Sequence, residues 1–294
     1  MANPAEPIEP PEILQIRISG PPSGPNLIYL PGIHGDWTLV TPFRLRISRS
    51  VRFVEFTYPR TLEWSLSDYA ENLLAELSRS GITGGWLLAE SFGSQLAWAL
   101  CEALQGGPQP APFRLEGIIL AGGFTEYPMK RVARMVEALR SKSPRQGAGW
   151  LMWLYATLLK VRFRGSPDAR MAAKEFLARR TPRDSEAILH RLRLLIGYDP
   201  ASAIAALEAP VFYLSGLFDP IVPWFLVRHQ LRRVSPSFQE AKIILTGDHN
   251  VLGTAPAGAE RQILKWINRH HFASETATSS LSLRAKTERP AKAG

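Results

Sequence analysis

A serine between small residues is the clearest chemical signal in this sequence. Ser91 follows the apolar run 86–88 and precedes a helix-like run that begins at Gln95. A strand, a tight turn and a helix in this order hold a serine hydroxyl out at the end of the strand, and small neighbours let the two backbones pass closely. Ala89 stands where the usual G-x-S-x-G pattern has glycine, and it is still small. The pattern therefore predicts a nucleophilic serine.

An aspartate and a histidine also follow strand-like apolar runs. Asp219 comes after residues 211–214, and His249 comes after residues 241–245. A serine hydroxyl is a weak nucleophile at neutral pH and needs a histidine as general base. The histidine in turn needs a carboxylate that fixes its tautomer and stabilises its protonated form. Ser91, Asp219 and His249 therefore predict a catalytic triad for attack on an acyl carbon.

Each of these residues also has a purely structural interpretation. Ser91 is a residue type that often caps a helix, and an aspartate before proline, such as Asp219, often forms a turn. For His249 the structural interpretation is a histidine in a surface loop. The strand-end position of all three residues favours catalysis over these roles. Asp248 is a rival carboxylate beside His249. Because adjacent side chains diverge, we expect Asp248 to cap its loop rather than to orient the histidine.

A fourth motif supports the same interpretation. The strand-like run 26–30 ends in Pro-Gly-Ile-His-Gly, residues 31–35, hereafter the PGIHG loop. This loop, Ser91, Asp219 and His249 together resemble the α/β-hydrolase superfamily in order and context, over roughly residues 12 to 271. The resemblance implies an α/β fold with a mostly parallel central sheet and helices on both faces.

The resemblance also assigns roles around the serine. It implies that the backbone N–H groups of Ile33 and Phe92 stabilise the oxyanion that forms during acyl transfer. Gly32 lets the chain turn so that the next amide faces inward. His34 is expected at the mouth of the pocket, where it either lines the pocket or has a structural role. Glu90 is expected to point away from the serine and to be hydrogen-bonded beneath the site.

The elements that position these residues are visible in the hydrophobic pattern. Strands alternate with helices, which is typical of a mainly parallel sheet covered on both faces. Residues 12–18 alternate as a first strand. The sequence Ser65-Leu66-Ser67-Asp68 predicts a capping box, after which apolar residues recur at helical spacing up to Leu77.

Composition divides the chain into a core, an insertion and two tails. We expect a discontinuous α/β core over residues 12–124 and 206–272, and flexible termini at 1–11 and 273–294. Residues 125–205, hereafter the insertion segment, lack clear strands and are rich in helix formers. In the superfamily, an insertion between the sixth and seventh strands forms a cap over the active site. The segment carries 16 Lys and Arg against 7 Asp and Glu, whereas the rest of the chain is balanced.

The insertion segment contains an apolar run, residues 149–159, that is too short to span a membrane. A cap helix packed on the core is the favoured interpretation of this run. The alternatives are a wall for an acyl chain, with Trp150 and Trp153 as pocket residues, or a surface that docks on lipid. The positive charge would attract an anionic substrate or a membrane surface, although a solvated helical face is the simpler interpretation.

Several classes of protein are not supported by the sequence. A single cysteine, Cys101, excludes internal disulfides and cysteine-based metal sites. We expect no metal, no cofactor and no nucleic-acid partner, because no ligand spacing, phosphate loop or nucleic-acid module is visible. The N-terminal residues are rich in proline and glutamate and do not resemble a signal peptide, so a cytoplasmic protein is expected. Nothing in the sequence specifies an oligomeric state.

These features together predict a serine hydrolase. The expected reaction is cleavage of an ester-type bond in a small acyl substrate, anionic or lipid-like, through an acyl-enzyme intermediate, as in a carboxylesterase. A thioesterase or an acyltransferase uses the same triad and is the first alternative. A non-catalytic binding protein with the same fold is the second, and the complete triad argues against it.

Overall fold

A β-sheet of seven strands runs through the part of the chain that the computed structural model describes, which is residues 13–107, 111–130, 134 and 182–270. The order of the strands in the sheet is β1-β3-β2-β4-β5-β6-β7. The strands are β1 (Gln15–Ser19), β2 (Asn26–Leu30), β3 (Arg52–Thr57), β4 (Gly84–Glu90), β5 (Arg114–Ala121), β6 (Val211–Gly216) and β7 (Phe238–Ile244).

The sheet is parallel except at one edge, where β1 pairs with β3 in the antiparallel direction. The carboxyl ends of strands β2 to β7 therefore all lie along one side of the sheet, which we call the carboxyl edge. Ligands of open α/β sheets bind among the loops at the carboxyl edge. The PGIHG loop follows β2, Ser91 follows β4, Asp219 follows β6, and His249 lies in the loop after β7. The topology thus gathers all four motifs at one edge.

Helices cover both faces of the sheet. They are α1 (Thr41–Ile47), α2 (Leu66–Arg79), α3 (Gly93–Gly106), α4 (Pro182–Gly197), α5 (Ala201–Ala205), α6 (Trp224–Val234), α7 (Val251–Thr254) and α8 (residues 256–270), with a 3₁₀ turn at Thr38–Val40. The predicted capping box at α2 is confirmed. The Ser65 hydroxyl accepts from the Asp68 N–H, and the Asp68 carboxylate accepts from the Ser65 N–H.

Two hydrophobic clusters form the core, one on each face of the sheet. Successive strand residues point to opposite faces, so Ile28 and Leu30 pack with α2, α3 and α6. Leu27 and Tyr29 pack on the other face with α1 and α8. The strands are buried on both sides, which explains why they read as nearly continuous apolar runs rather than alternating ones.

The boundaries of two expected elements differ from the sequence prediction. The first strand covers Gln15–Ser19 rather than 12–18, because its register is set by pairing with β3. Within the described residues, five strands precede the insertion segment, whereas the resemblance implied an insertion after the sixth strand. Of this segment, the structure describes 125–130, 134 and 182–205, and the apolar run 149–159 lies outside the described residues. The division into core, cap and tails stays a prediction.

Within the described ranges, the helices are all too short or too polar to cross a lipid bilayer. The predicted burial of Cys101 is confirmed, since its side chain lies within α3 in the core. Burial raises the pKa of this thiol to about 12, with a smaller contribution from Glu102. The thiol is therefore protonated at neutral pH and acts as a small apolar group.

Candidate active site

Ser91 occupies a strained turn between β4 and α3. Its φ of 49° lies in the left-handed region, and it is the one non-glycine residue of the described chain with a positive φ. Such strain is often found at functional residues. A side chain at Gly93 would place its Cβ 2.2 Å from the Leu30 carbonyl oxygen, so the close approach requires glycine two residues after the serine. The backbone thus holds the Ser91 hydroxyl out at the end of β4.

The three side chains of the predicted triad lie in hydrogen-bond contact. Ser91 Oγ is 2.9 Å from His249 Nε2, and His249 Nδ1 is 2.8 Å from Asp219 Oδ2. With the proton on Nδ1, His249 donates to Asp219 and accepts from the serine hydroxyl. The other carboxylate oxygen of Asp219 accepts from the N–H groups of Ile221 (2.9 Å) and Val222 (2.8 Å). Both carboxylate oxygens are therefore bonded, and the orientation of Asp219 is fixed.

The electrostatic setting of His249 favours a basic imidazole. Burial by itself would lower its pKa, but the charge of Asp219 and the hydrogen bond to it raise the pKa. The nearby carboxylates of Glu90 and Asp248 add to the rise, and the pKa of His249 is above its ordinary value. A histidine with a raised pKa is a stronger base once it is neutral.

Asp248 has the loop role expected of it. One of its carboxylate oxygens accepts from the Asn250 N–H (2.9 Å) and from the Thr254 hydroxyl (3.1 Å). Burial raises the pKa of Asp248 against the opposing effect of these hydrogen bonds. Asp219, rather than Asp248, is the carboxylate bonded to the ring of His249.

The two predicted oxyanion donors belong to segments that adjoin the serine. Phe92 directly precedes α3, so its N–H is one of the donors that a helix start leaves without an intrahelical acceptor. Ile33 lies in the PGIHG loop, whose Gly32 is so close to the serine that an added Cβ would be 3.5 Å from Ser91 Cβ. The positive end of the α3 dipole also favours negative charge here. The catalytic roles of the triad and of these two amides stay predictions.

Glu90 lies beneath the site, as predicted. Its carboxylate is buried and accepts hydrogen bonds from the Tyr29 hydroxyl and from the Gly32 N–H. Burial raises the pKa of Glu90 against the opposing effect of these bonds and of the His249 charge. The carboxylate therefore ties β4 to the PGIHG loop just below the nucleophile.

The predicted pocket residues fall into two groups. His34 is half-buried, and its ring packs on Gly32, where an added Cβ would be 3.3 Å from the ring. This places His34 beside the loop next to Ser91 and leaves both of its expected roles open. Trp150 and Trp153 lie outside the described residues. Across the described ranges, no group of three or more His, Cys, Asp or Glu side chains is placed to hold a metal ion.

Sequence reasoning missed three residues that shape the site. Gly122 has a φ of 59°, and a Cβ there would be 3.0 Å from the His249 carbonyl oxygen. A Cβ at Gly216 would be 2.4 Å from the Asp248 backbone, so β6 and the histidine loop touch. Arg191, on α4, donates to the Ile33 carbonyl. Its signal was its position on a buried helical stripe, where a charged residue is unusual.

Comparison with solved structures identifies the fold. An esterase from Thermogutta terrifontis is 18% identical, with 88% of this chain and 94% of that chain covered and a TM-score of 0.71. An esterase from Exiguobacterium antarcticum is 13% identical, with 87% and 95% covered and a TM-score of 0.70. An enol-lactonase from Burkholderia xenovorans is 14% identical, with 87% and 96% covered and a TM-score of 0.67.

These likenesses and the sheet topology define the class. The chain has the α/β-hydrolase fold, as the order of its motifs predicted. Comparison of the sequence with protein-family models gives no match, and comparison with curated proteins gives none either.

Proposed function

We propose that this protein is a serine hydrolase that cleaves carboxylic ester bonds through an acyl-enzyme intermediate. The observation that carries the proposal is the unbroken line of hydrogen bonds from Asp219 through His249 to Ser91. Three further features support it: the strained serine turn, the raised pKa of His249, and the helix start at Phe92.

The acylation step follows from this arrangement. Nε2 of His249 takes the proton of Ser91 as Oγ attacks the ester carbonyl carbon. The carbonyl oxygen becomes an oxyanion, which the N–H groups of Phe92 and Ile33 stabilise. Asp219 stabilises the imidazolium that forms and keeps its Nδ1 proton in place. When the intermediate collapses, the carbon–oxygen bond to the alcohol breaks and His249 protonates the departing oxygen.

Deacylation repeats these steps with water. His249, neutral again, takes a proton from a water molecule that attacks the acyl carbon bound to Ser91 Oγ. The oxyanion forms a second time at the same two amides. Its collapse breaks the bond to Oγ, the serine regains its proton from His249, and the carboxylic acid leaves. The cycle uses only groups of the chain and water.

The solved neighbours support an ester-type substrate. Two of those compared are described as esterases and one as an enol-lactonase, and a lactone is an internal ester. We infer a small acyl substrate for this chain. The insertion segment is proposed to cover the site as a helical cap, because α4 of that segment contacts the PGIHG loop.

Covalent labelling tests the proposal directly. A fluorophosphonate probe reacts only with an activated serine, so it should label the wild-type protein at Ser91 and leave the Ser91→Ala variant unlabelled. The same pair should be screened on p-nitrophenyl esters, acyl-CoA thioesters and lysophospholipids. Hydrolysis of acyl-CoA in preference to esters would favour a thioesterase. If the folded wild-type protein showed neither labelling nor turnover, the proposed hydrolase activity would be contradicted and a non-catalytic binding protein would be favoured.

A further inference from the structure

Arg191 on α4 is a buried cation that contacts the PGIHG loop. It is only 2% exposed. Its Nη1 donates to the Ile33 carbonyl (2.9 Å), its Nη2 donates to the Pro59 carbonyl (2.8 Å), and its Nε is 3.4 Å from the Tyr69 hydroxyl. These acceptors are uncharged oxygens, so they do not offset the lost hydration of a guanidinium as a carboxylate would. The guanidinium is thus buried mainly against backbone carbonyls, one of which belongs to the PGIHG loop.

The carbonyl groups of the PGIHG loop are held one after another. The bonds are Tyr58 Oη to Pro31 O (3.0 Å), Gly35 N to Gly32 O (2.9 Å) and Arg191 Nη1 to Ile33 O (2.9 Å). Because the C=O and N–H of a trans peptide point in opposite directions, fixing the carbonyls also fixes the amides. The Ile33 N–H and the Gly32 carbonyl form one peptide group, and this carbonyl accepts from the Gly35 N–H. The next peptide group contains the Ile33 carbonyl, which accepts from Arg191. The direction of the Ile33 N–H therefore depends on both contacts.

Arg191 also fills the space inside the turn of this loop. Gly35 has a φ of 77°, and a Cβ there would lie 2.6 Å from Arg191 Nη1. The Gly35 carbonyl accepts from the Tyr58 N–H (2.8 Å), which ties the far end of the loop to the chain after β3. The guanidinium thus packs against the loop as well as bonding to it, and a smaller side chain would leave the turn without support.

We propose that Arg191 is a positioning residue for the oxyanion donor of the PGIHG loop. This proposal rests on the proposed ester hydrolysis. It adds that a side chain of the insertion segment holds the Ile33 N–H in position. The guanidinium that fixes the Ile33 carbonyl is carried on α4, so this helix acts on the oxyanion site through that one side chain.

A simple anchoring role for Arg191 can be separated from this one. Two other side chains attach α4 to the chain after β3. Asp184 forms an ion pair with Arg60 (2.6 Å), and His190 Nε2 donates to the Trp64 carbonyl (2.8 Å). Asp184 and Arg191 lie on the same buried face of α4. Asp184→Asn is therefore a matched control that removes the ion pair with Arg60 and leaves the Arg191 guanidinium and its bond to the Ile33 carbonyl in place.

The experiment compares wild type, Arg191→Met, Arg191→Lys and Asp184→Asn. The measurements are kcat and KM for p-nitrophenyl butyrate, the rate constant of fluorophosphonate labelling, Tm, and amide hydrogen exchange of residues 31–35. Losing one oxyanion donor costs about 10²- to 10³-fold in kcat. A donor that is misplaced but present should cost less, so we expect Arg191→Met to lower kcat and labelling about 10- to 100-fold. KM should change little, and exchange in the loop should accelerate.

The other variants decide between the two roles. Arg191→Lys keeps a donor that reaches one carbonyl and should recover part of the rate, which also serves if Arg191→Met does not fold. Asp184→Asn should lower Tm but keep kcat within about threefold of wild type. Equal losses of kcat in Asp184→Asn and Arg191→Met would overturn the proposal, as would a folded Arg191→Met with wild-type kcat and exchange. A wild-type protein without turnover or labelling would instead contradict the proposed function, and the exchange data would still show whether Arg191 orders the loop.

Discussion

The triad and the PGIHG loop meet at Ser91 and are built in different ways. In the triad, three side chains each follow a strand, and they bond to one another in a line. In the loop, backbone amides are the proposed donors, and the side chains that hold the loop come from distant parts of the chain. Tyr58 after β3 and Glu90 on β4 bind the carbonyl and the N–H of the peptide group between Pro31 and Gly32. Arg191 on α4 binds the carbonyl of the peptide group after Ile33.

The two regions therefore have different proposed tasks: the triad transfers protons and attacks the substrate, and the loop holds amides in position. The triad contains ionisable groups whose pKa values depend on one another, so changes there should alter both the rate and its pH dependence. The loop offers uncharged amides, so misplacing it should lower the rate and leave the pH profile in place. Glu90 belongs to both regions, because it bonds to the loop and its charge raises the pKa of His249.

Removal of the nucleophile should have the largest effect. In Ser91→Ala no acyl-enzyme can form, and ester turnover should fall by about 10⁴-fold or more. The oxyanion amides remain, so the residual rate measures what the loop side achieves without the triad. Tm should stay close to that of the wild type, since only a hydroxyl at a partly exposed turn is lost. A folded Ser91→Ala variant with most of its activity would disprove the mechanism.

The carboxylate of the triad should come next. Asp219→Asn preserves the shape but favours the wrong tautomer of His249, and kcat should fall by about 10⁴-fold. Asp248→Asn is the matched control, because Asp248 is also buried near His249 but bonds to Asn250 and Thr254. Its kcat should stay within about tenfold of wild type. Similar losses of kcat in both variants would mean that the hydrogen bond from Asp219 to His249 does not determine the rate.

The sequence predicted these two regions unequally. Ser91, Asp219 and His249 each follow an apolar run, so local pattern was enough to find them and the fold that gathers them. Gly122 and Gly216 matter because distant backbones pass within van der Waals distance of them, and no local pattern reports that. The same holds for the contacts of the PGIHG loop, which depend on how tertiary packing brings distant segments together.

Arg191 shows where a partial signal existed. On α4 the residues Asp184, Ala187, Arg191 and Leu195 share the buried face. Helical periodicity alone places two charged residues on that stripe, which marks them as unusual. It does not indicate their partners, because the Ile33 carbonyl and Arg60 lie more than a hundred residues earlier in the chain.

Glu90 tests the link between the two regions through pH. As the proposed base, His249 must be neutral to act, so kcat/KM should rise with pH as it loses its proton, with a midpoint above the ordinary histidine value. Glu90→Gln keeps an oxygen for the Gly32 N–H but removes a charge that raises this pKa. The midpoint should therefore move to lower pH, with a loss of about tenfold or less in the plateau.

Tyr29→Phe is the control for that shift. It removes the hydroxyl that bonds to Glu90 and leaves the carboxylate in place. The pH midpoint of kcat/KM should therefore stay closer to wild type than in Glu90→Gln. A midpoint that moves upward in Glu90→Gln, or that does not move, would show that Glu90 acts on the loop alone and not on His249.

The smallest expected effect concerns the acyl chain, which neither the triad nor the PGIHG loop selects. The insertion segment contains the apolar run 149–159 and a net excess of basic residues. If this run lines the acyl pocket, each buried methylene contributes about 0.8 kcal/mol, or about fourfold in kcat/KM. p-Nitrophenyl esters from acetyl to octanoyl should then rise in kcat/KM until the pocket is full, and Trp153→Ala should flatten the rise without changing labelling of Ser91.

Any preference for anionic esters should weaken with salt, because exposed charges are screened over about 10 Å at 0.1 M. Acetyl and butyryl esters that outpace octanoyl esters would rule out the acyl pocket, and rates unaffected by salt would leave the basic residues as a solvated surface.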